Sequence, residues 1–520
     1  MPSPPTSKKL PPSPRETVSR VGERLATARS GAVIAYRDDA ALHSAYDPVA
    51  EARRFVAASG VDASVRTIFL VAPCLGYLLP PLREAAPDAR ILTIQCSPFF
   101  SEDVAIFPSD ACWTPADGLD LVSFLEREAS DVQALRSRIV EWRPASLAYG
   151  RRAVEYASAI RDFVATARAN EETVAVFGRR WIRNAFRFLR AVERPCAMER
   201  GNAPIVVVGS GPSLEETAGV LREAREEGRC SVFAAASALP ALFAAGVRVD
   251  LAISSDGGAW ARYHLMEATR RGVCVAATLV SAFPSNLSAF PSIALADLSP
   301  WQDTLMQAAG IPAFRSPQRG TVTATSLDLA LASTSGSVYL AGLDLASLDL
   351  RTHARPNALD RFREDATDRL HPEYSYAFDR RGTVSTAAAL DLYSRWFASK
   401  LSCFKDRVAA LGPIHPSLAF LPMQKNIAEA VGAVAPRLVE YGPGIGGGER
   451  ASLAAATLLR ELETERDSLR ESRSGAAGKL GKLGESLIEL LTPYDRRPAK
   501  GGYDLVVSFI SSIARNGSHG

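Results

Sequence analysis

From residue 204 onward short apolar runs alternate with amphipathic segments, and no other feature of the chain restricts its fold as strongly. The runs Ile205–Val208, Ser231–Ala236, Asp250–Ser254, Val273–Thr278, Ser292–Ala296 and Ser337–Gly342 have the length of strands. Several are apolar at consecutive positions rather than at every second one, the pattern of a strand covered on both faces. Leu214–Glu227 and Thr323–Ala332 have helical spacing and lie between such runs. Strand, helix, strand repeated in this way predicts right-handed crossovers and a parallel sheet with helices on both faces.

At 520 residues the chain exceeds what one hydrophobic core usually serves. The expected class is α/β: a central doubly wound Rossmann-like parallel sheet at 201–400, a small N-terminal α/β domain, and a helical C-terminal domain. The Pro- and Ser-rich residues 1–17 read as a disordered tail. Residues 18–120 read as the small Rossmann-like domain, with helix-like spacing over 18–60, strands at Thr67–Pro73 and Ala89–Gln95, and a helix near Gly76–Glu84. Residues 121–200, including VSFLEREASDVQALRSRIVEW, read as a helical connection, and 401–520 as the helical C-terminal domain.

Composition excludes several partners. A formal charge of +3 gives no global reason to expect nucleic acid or an anionic membrane. No apolar run approaches the length of about 18 residues that spans a bilayer, and the first residues lack a signal-peptide core. The seven cysteines form no Cys-x-x-Cys pair, so reduced thiols and no zinc site are expected. Together these features imply a cytoplasmic protein.

The chemistry concentrates where Ile205–Val208 runs into Gly209-Ser210-Gly211-Pro212-Ser213-Leu214 and a helix. Glycines 209 and 211 permit a tight turn, and Pro212 suits the first helical position. The amide groups of that first turn are expected to stay free for an anion at the strand's carboxyl end. Leu214 stands where a dinucleotide fingerprint has its third glycine, and neither this loop nor the later GAAGKLGKLG is a Walker loop. The loop therefore predicts a nucleotide phosphate, but neither NAD nor ATP hydrolysis.

Three segments, VVVGSGPSLEET, VDLAISSDGG and RGTVTATSLDLALASTSGSVYLAGLDLASLDLRTHA, resemble the motility accessory factors, bacterial proteins implicated in flagellin glycosylation. Their central domain is shared with 6-hydroxymethylpterin diphosphokinase MptE-like proteins and related to bacterial sialyltransferases. Leu42-His43-Ser44, Leu75-Gly76-Tyr77 and Gly382-Thr383-Val384 extend the likeness over roughly residues 40–400. Gly257 departs from it, standing where these proteins often have proline.

The resemblance implies a glycosyltransferase that moves a sialic-acid-like nonulosonic sugar from a CMP donor to Ser or Thr of flagellin. The alternatives are diphosphate transfer to a pterin and a non-catalytic flagellin-binding assembly factor. On the leading reading Gly209, Ser210, Gly211, Pro212 and Ser213 hold the phosphate, and Gly320, Thr321 and Thr323 at a second helix start add donors to it. Asp256 and Asp344, at strand carboxyl ends, contact sugar hydroxyls. His353, with His371 as second candidate, is the expected base. The nucleotide-sugar is the substrate; no cofactor and no metal are expected.

Overall fold

The computed structural model describes residues 22–101, 104–129, 136–284, 290–297, 299–346, 351–372, 384–442, 444–471, 481–492 and 502–516. The expected N-terminal tail and the Gly382-Thr383 pair lie outside them. The chain divides into two compact units, Met1–Glu171 and Glu172–Gly520. Among the described residues no helix is long and apolar enough to cross a membrane.

The first unit opens with an antiparallel sheet of β1 (Glu23–Thr27), β2 (Val33–Arg37) and β3 (Ala40–Ala41). This corrects the helix-like reading of 18–60. Gly31, at φ +83°, turns β1 into β2, and β-branched Val33 and Ile34 pack better on a pleated surface than in a helix. Among the described residues there only α1 (Pro48–Ala57) is helical, capped by the Asp47 carboxylate, which accepts from the Val49 and Ala50 amides.

A parallel sheet follows, built from β4 (Thr67–Val71), β5 (Arg90–Ile94), β6 (Ala111–Trp113) and β7 (Ser137–Glu141) in the order β6-β5-β4-β7. Helices α2 (Leu79–Ala85) and α3 (Leu121–Glu128) provide crossovers. β7 lies inside the segment read as a helical connection. Its pairing with β4 satisfies the strand ladder, and that tertiary partner overrides a spacing that fits either period. Beyond α4 (Arg143–Tyr149), the 41-residue α5 (Arg151–Ala191) supplies Ala153, Ala157 and Ile160 to this unit's core.

In the second unit the sheet order is β17-β16-β15-β9-β10-β11-β12-β13-β8-β18, with β14 also on β13. The inner strands are β8 (Arg194–Glu199), β9 (Ile205–Val208), β10 (Ser231–Ala235), β11 (Leu251–Ser254), β12 (Cys274–Thr278), β13 (Pro291–Ala296) and β15 (Val338–Ala341). The remaining strands are β14 (Ala313–Arg315), β16 (Val408–Leu411), β17 (Met423–Gln424) and β18 (Arg437–Glu440). All described pairings are parallel except β8 with β18. The expected doubly wound α/β sheet is present, and its strand runs match those read from the sequence to within two residues at either end.

Alternate residues of β9 serve two cores. Val206 and Val208 pack with Leu214, Leu221, Leu242 and Leu265, whereas Ile205 and Val207 pack with Ala324, Leu327 and Phe397. The first group comes from α6 (Leu214–Glu226), α7 (Leu239–Ala244) and α8 (Ala261–Arg271). α9 (Pro300–Ala309) lies on the same side, and α10 (Val322–Ser333) on the other.

The C-terminal region is not a separate helical domain. β16, β17 and β18 belong to the large sheet, and Ala454, Leu458, Leu487, Val506 and Ile510 join the first of the two cores. The apolar stripes of Gly447–Glu471, Lys482–Leu491 and Gly502–Asn516 thus cover one face of the sheet.

Candidate functional site

β10 through β13 run away from β9 on one side, and β15 through β17 on the other. The chain thus reverses its direction of winding between β9 and β15, and in such sheets ligands bind in the crevice at the carboxyl ends flanking that reversal. The loops leaving these strands are 209–213 and 342–346, both singled out by the sequence.

They are locked together by backbone. The Gly209 amide donates to Ala341 O at 2.8 Å and the Gly211 amide to Gly342 O at 2.9 Å. A Cβ on Gly209 would lie 2.5 Å from Gly342 O, and one on Gly211 would lie 1.9 Å from an Asp344 carboxylate oxygen. Gly342, at φ +65°, meets Gly209 O in return. The glycines are required by the close pass of two strand-end loops.

The expectation of free first-turn amides is corrected. Ser213 N–H donates to the Asp344 carboxylate at 3.3 Å, and Ser213 Oγ–H does so at 2.8 Å. The Leu214 and Glu215 amides donate to Gly211 O and Pro212 O, each at 3.1 Å. Pro212 therefore precedes the helix, in a tight turn that leads into α6 at Leu214. Asp344 occupies the position that an anion would take at this helix start. Burial pushes its carboxyl up and nearby Glu216 adds to that, while the Ser213 hydroxyl and amide act against the rise. Leu345, next in the chain, is held at φ +47°, a left-handed conformation that costs a non-glycine residue roughly 1 to 3 kcal/mol.

Two further predicted segments meet this loop pair. Thr323 Oγ1 would lie 3.2 Å from a Cβ on Gly209. Thr321 caps α10, its hydroxyl accepting from Ala324 N–H at 3.1 Å. Gly320, at φ +75°, passes under the ring of Tyr393. Arg319, just before it, is paired with Asp328 at 2.8 Å and lies over the Trp396 ring, which fixes this corner.

His353 arrives from the other side. Ala354 N–H donates to Ser210 O at 2.8 Å, so the imidazole is borne by a residue adjoining the loop contact. Thr352 Oγ1 lies 2.9 Å from His353 Nδ1. Arg351 pairs with Glu215 at 2.9 Å, and the Arg355 amide donates to the same carboxylate. Although desolvation would raise it, these contacts hold Glu215 below the usual carboxylate range. Arg351 was not singled out in the sequence; adjacency to Thr352-His353 was its one signal.

The other predicted residues serve local roles. Asp256 is exposed, and its carboxylate accepts from Gly258 N–H at 2.7 Å, an Asx turn closing the loop after β11. His371 is exposed and hydrogen-bonded to Asp368 within its own turn; no described contact brings it to 209–213. His264 on α8 went unread: it is largely buried, its Nδ1 has no partner, and burial first, then Arg363, lowers its pKa while Asp256 opposes the shift.

Residues 179–349 match the family model described as 6-hydroxymethylpterin diphosphokinase MptE-like. The chain is 28% identical over 281 residues to an uncharacterized protein of Treponema pallidum (strain Nichols), a match spanning 54% of this chain and 61% of that protein's length. It is also similar to the structure of a Maf glycosyltransferase from Magnetospirillum magneticum AMB-1, with a TM-score of 0.46 and 13% identity over 96% of this chain and 87% of that one. The family match thus falls on the stretch that holds the 209–213 loop, the helix start at Thr321–Thr323 and Asp344.

Proposed function

We propose that the chain is a glycosyltransferase that takes a sugar from a nucleotide donor, with a CMP-linked nonulosonic acid as donor and Ser or Thr hydroxyls of flagellin as acceptors. The observation that carries this reading is the convergence at the β9/β15 reversal of the 209–213 loop, Asp344, Thr323 and the segment bearing His353.

The charge at this helix start favours a donor with one phosphate. Asp344, Glu215 and Glu216 cluster around the first turn of α6, and each adds repulsion against a polyphosphate. The same carboxylates suit a reaction in which positive charge develops on a sugar ring, as in oxocarbenium-like transition states. In the tautomer whose Nδ1–H donates to Thr352 Oγ1, His353 accepts the acceptor hydroxyl's proton at Nε2. The new acceptor oxygen–carbon bond forms as the bond from the sugar's anomeric carbon to the phosphate oxygen breaks. The departing CMP keeps that electron pair, stabilised by the Thr323 hydroxyl and by the Ser213 amide and hydroxyl, which the phosphate takes over from the Asp344 carboxylate. No divalent ion is required on this route.

Diphosphate transfer to a pterin is the second reading, favoured by the description of the matching family. Thermal unfolding separates the two, because a ligand that binds only the folded state stabilises it by about 2.7 kcal/mol at a hundredfold excess over Kd. The expected result is stabilisation by CMP in excess chelator and none by ATP with magnesium. The opposite pattern replaces sugar transfer with diphosphate transfer, and stabilisation by neither leaves the assembly-factor reading.

A further inference from the structure

A cluster of aromatic rings stands on the same strand-end edge and has no part in the chemistry above. The loop leaving β11 ends in Trp260, Tyr263 lies one turn further on in α8, and Phe362 comes from α11 (Asp360–Ala366), a helix with no buried residue. The centroid of Phe362 lies 5.2 Å from Trp260 and 5.1 Å from Tyr263, both edge to face, and Trp260 lies 5.7 Å from Tyr263. Despite this mutual packing Trp260 is 57% exposed and Phe362 42%. Edge-to-face packing favours this mutual arrangement, and it leaves Trp260 and Phe362 partly exposed side by side.

Their place in the sheet suggests an occupant. β11 lies two strands from β9, about 10 Å along the row of strand ends at the usual strand spacing, roughly the extent of a nucleoside. The segment that brings Phe362 is the one that closes over the phosphate loop: Ala354 bonds Ser210, Asn357 reaches Ser237 O at the end of β10, and the Asp360 amide donates to Asn357 O. Next to the rings, His264 Nδ1 is shielded from solvent and unpartnered, in electrostatic contact with Asp256 and Arg363. Flat exposed aromatic faces beside a phosphate loop suit a flat heteroaromatic ring, and an aspartate carboxylate suits the exocyclic amino group of cytosine.

We infer that Trp260, Tyr263 and Phe362 form the stacking subsite for the nucleobase of a nucleotide whose phosphate lies at 209–213, with Asp256 placed to meet the edge of the base. This inference rests on the proposed function and specifies how its donor is recognised.

The test uses the full chain and two probes, CMP and ribose 5-phosphate, the second having the phosphate and pentose without the base. Calorimetric titration compares wild type with Trp260→Leu, Phe362→Leu and Phe362→Trp. Base–aromatic stacking contributes roughly 1 to 3 kcal/mol per base, so each leucine variant is expected to bind CMP at least about fivefold more weakly. Ribose 5-phosphate affinity should stay unchanged, and Phe362→Trp should keep CMP affinity. If both leucine variants bind CMP like wild type, the subsite is refuted while the nucleotide reading stands. A parallel loss for both probes likewise refutes stacking, since the change then acts on the phosphate. A wild-type chain that binds neither probe overturns both the subsite and the proposed function.

Discussion

Each unit of this protein has a parallel sheet that reverses its winding, β4 against β7 in the first and β9 against β15 in the second, yet the two reversal points are finished differently. In the first, the chain fills its own crevice. The loop leaving β4 has Ala72, Cys74 and Gly76 all at positive φ, and its polar groups are answered internally: Gln95 bonds both the amide and carbonyl of Cys74, and Leu75 N–H donates to His43 Nε2 at 3.4 Å. Trp142 closes over this, donating to Leu42 O and stacking on His43. In the second, a carboxylate sits on the helix start, beside a histidine-bearing segment, a threonine hydroxyl and an exposed aromatic cluster. A reversal point locates where a sheet can bind; the side chains that occupy it decide whether binding remains open.

The largest effect that sharpens this contrast concerns His353. General base catalysis typically contributes about a hundredfold to ten-thousandfold, so His353→Gln is expected to lower kcat for sugar transfer by that much and to leave CMP affinity unchanged. Normal transfer by this variant would remove the imidazole from the mechanism and leave another group at the second reversal point as the base.

Next in size is the acid response of the first unit. Burial lowers the pKa of His43 from 6.5 to about 3. A histidine that is harder to protonate when folded stabilises the unit above its unfolded value and loses that contribution as pH falls toward the folded one. The expected loss is about 1.4 kcal/mol per pH unit, thus roughly 2 kcal/mol between pH 6.5 and 5. Urea unfolding followed by Trp142 fluorescence reads it, and His43→Gln, which can still accept from Leu75 N–H, should flatten the slope. An unchanged slope would show that His43 is not what holds the first crevice shut.

Much of this was legible in the sequence, and the misses share a cause. The strands from Ile205 to Gly342 were visible because strands buried on both faces must be apolar at consecutive positions. Gly209, Gly211 and Asp344 were visible as residues but not in their relation: a linear sequence cannot show that the glycines make room for a second loop and its carboxylate, which Ser213 meets from 131 residues away. β7 and the β1–β2 hairpin were misread because short segments such as Ser137–Glu141 fit both periods until a partner strand decides. The C-terminal helices were recognised as helices, but the face they cover belongs to a sheet that begins some 250 residues earlier. Trp260 and Phe362 come together only through the fold, so no spacing could have revealed them.

The smallest predicted effect tests why Asp344 occupies the anion position. Its carboxyl is pushed up by burial and by Glu216, so the folded state favours the protonated form more than the unfolded chain does. Such a group contributes stability that is complete below the unfolded pKa and is lost as pH rises through the folded one. Near neutrality the charged carboxylate is therefore a mild cost. Asp344→Asn keeps an oxygen to accept from Ser213 N–H and Oγ–H and removes the charge. It should raise stability at pH 7.5, by at most about 1 kcal/mol because the group is half exposed and water screens it. The gain should shrink as pH falls toward 4. The same change removes repulsion against phosphate, so CMP affinity should rise while transfer slows, if the carboxylate steadies positive charge on the sugar. Asp344→Asn with weaker CMP binding would instead make the aspartate a direct ligand of the donor, and the second reversal point would then be open from the outset rather than held by a carboxylate that the phosphate displaces.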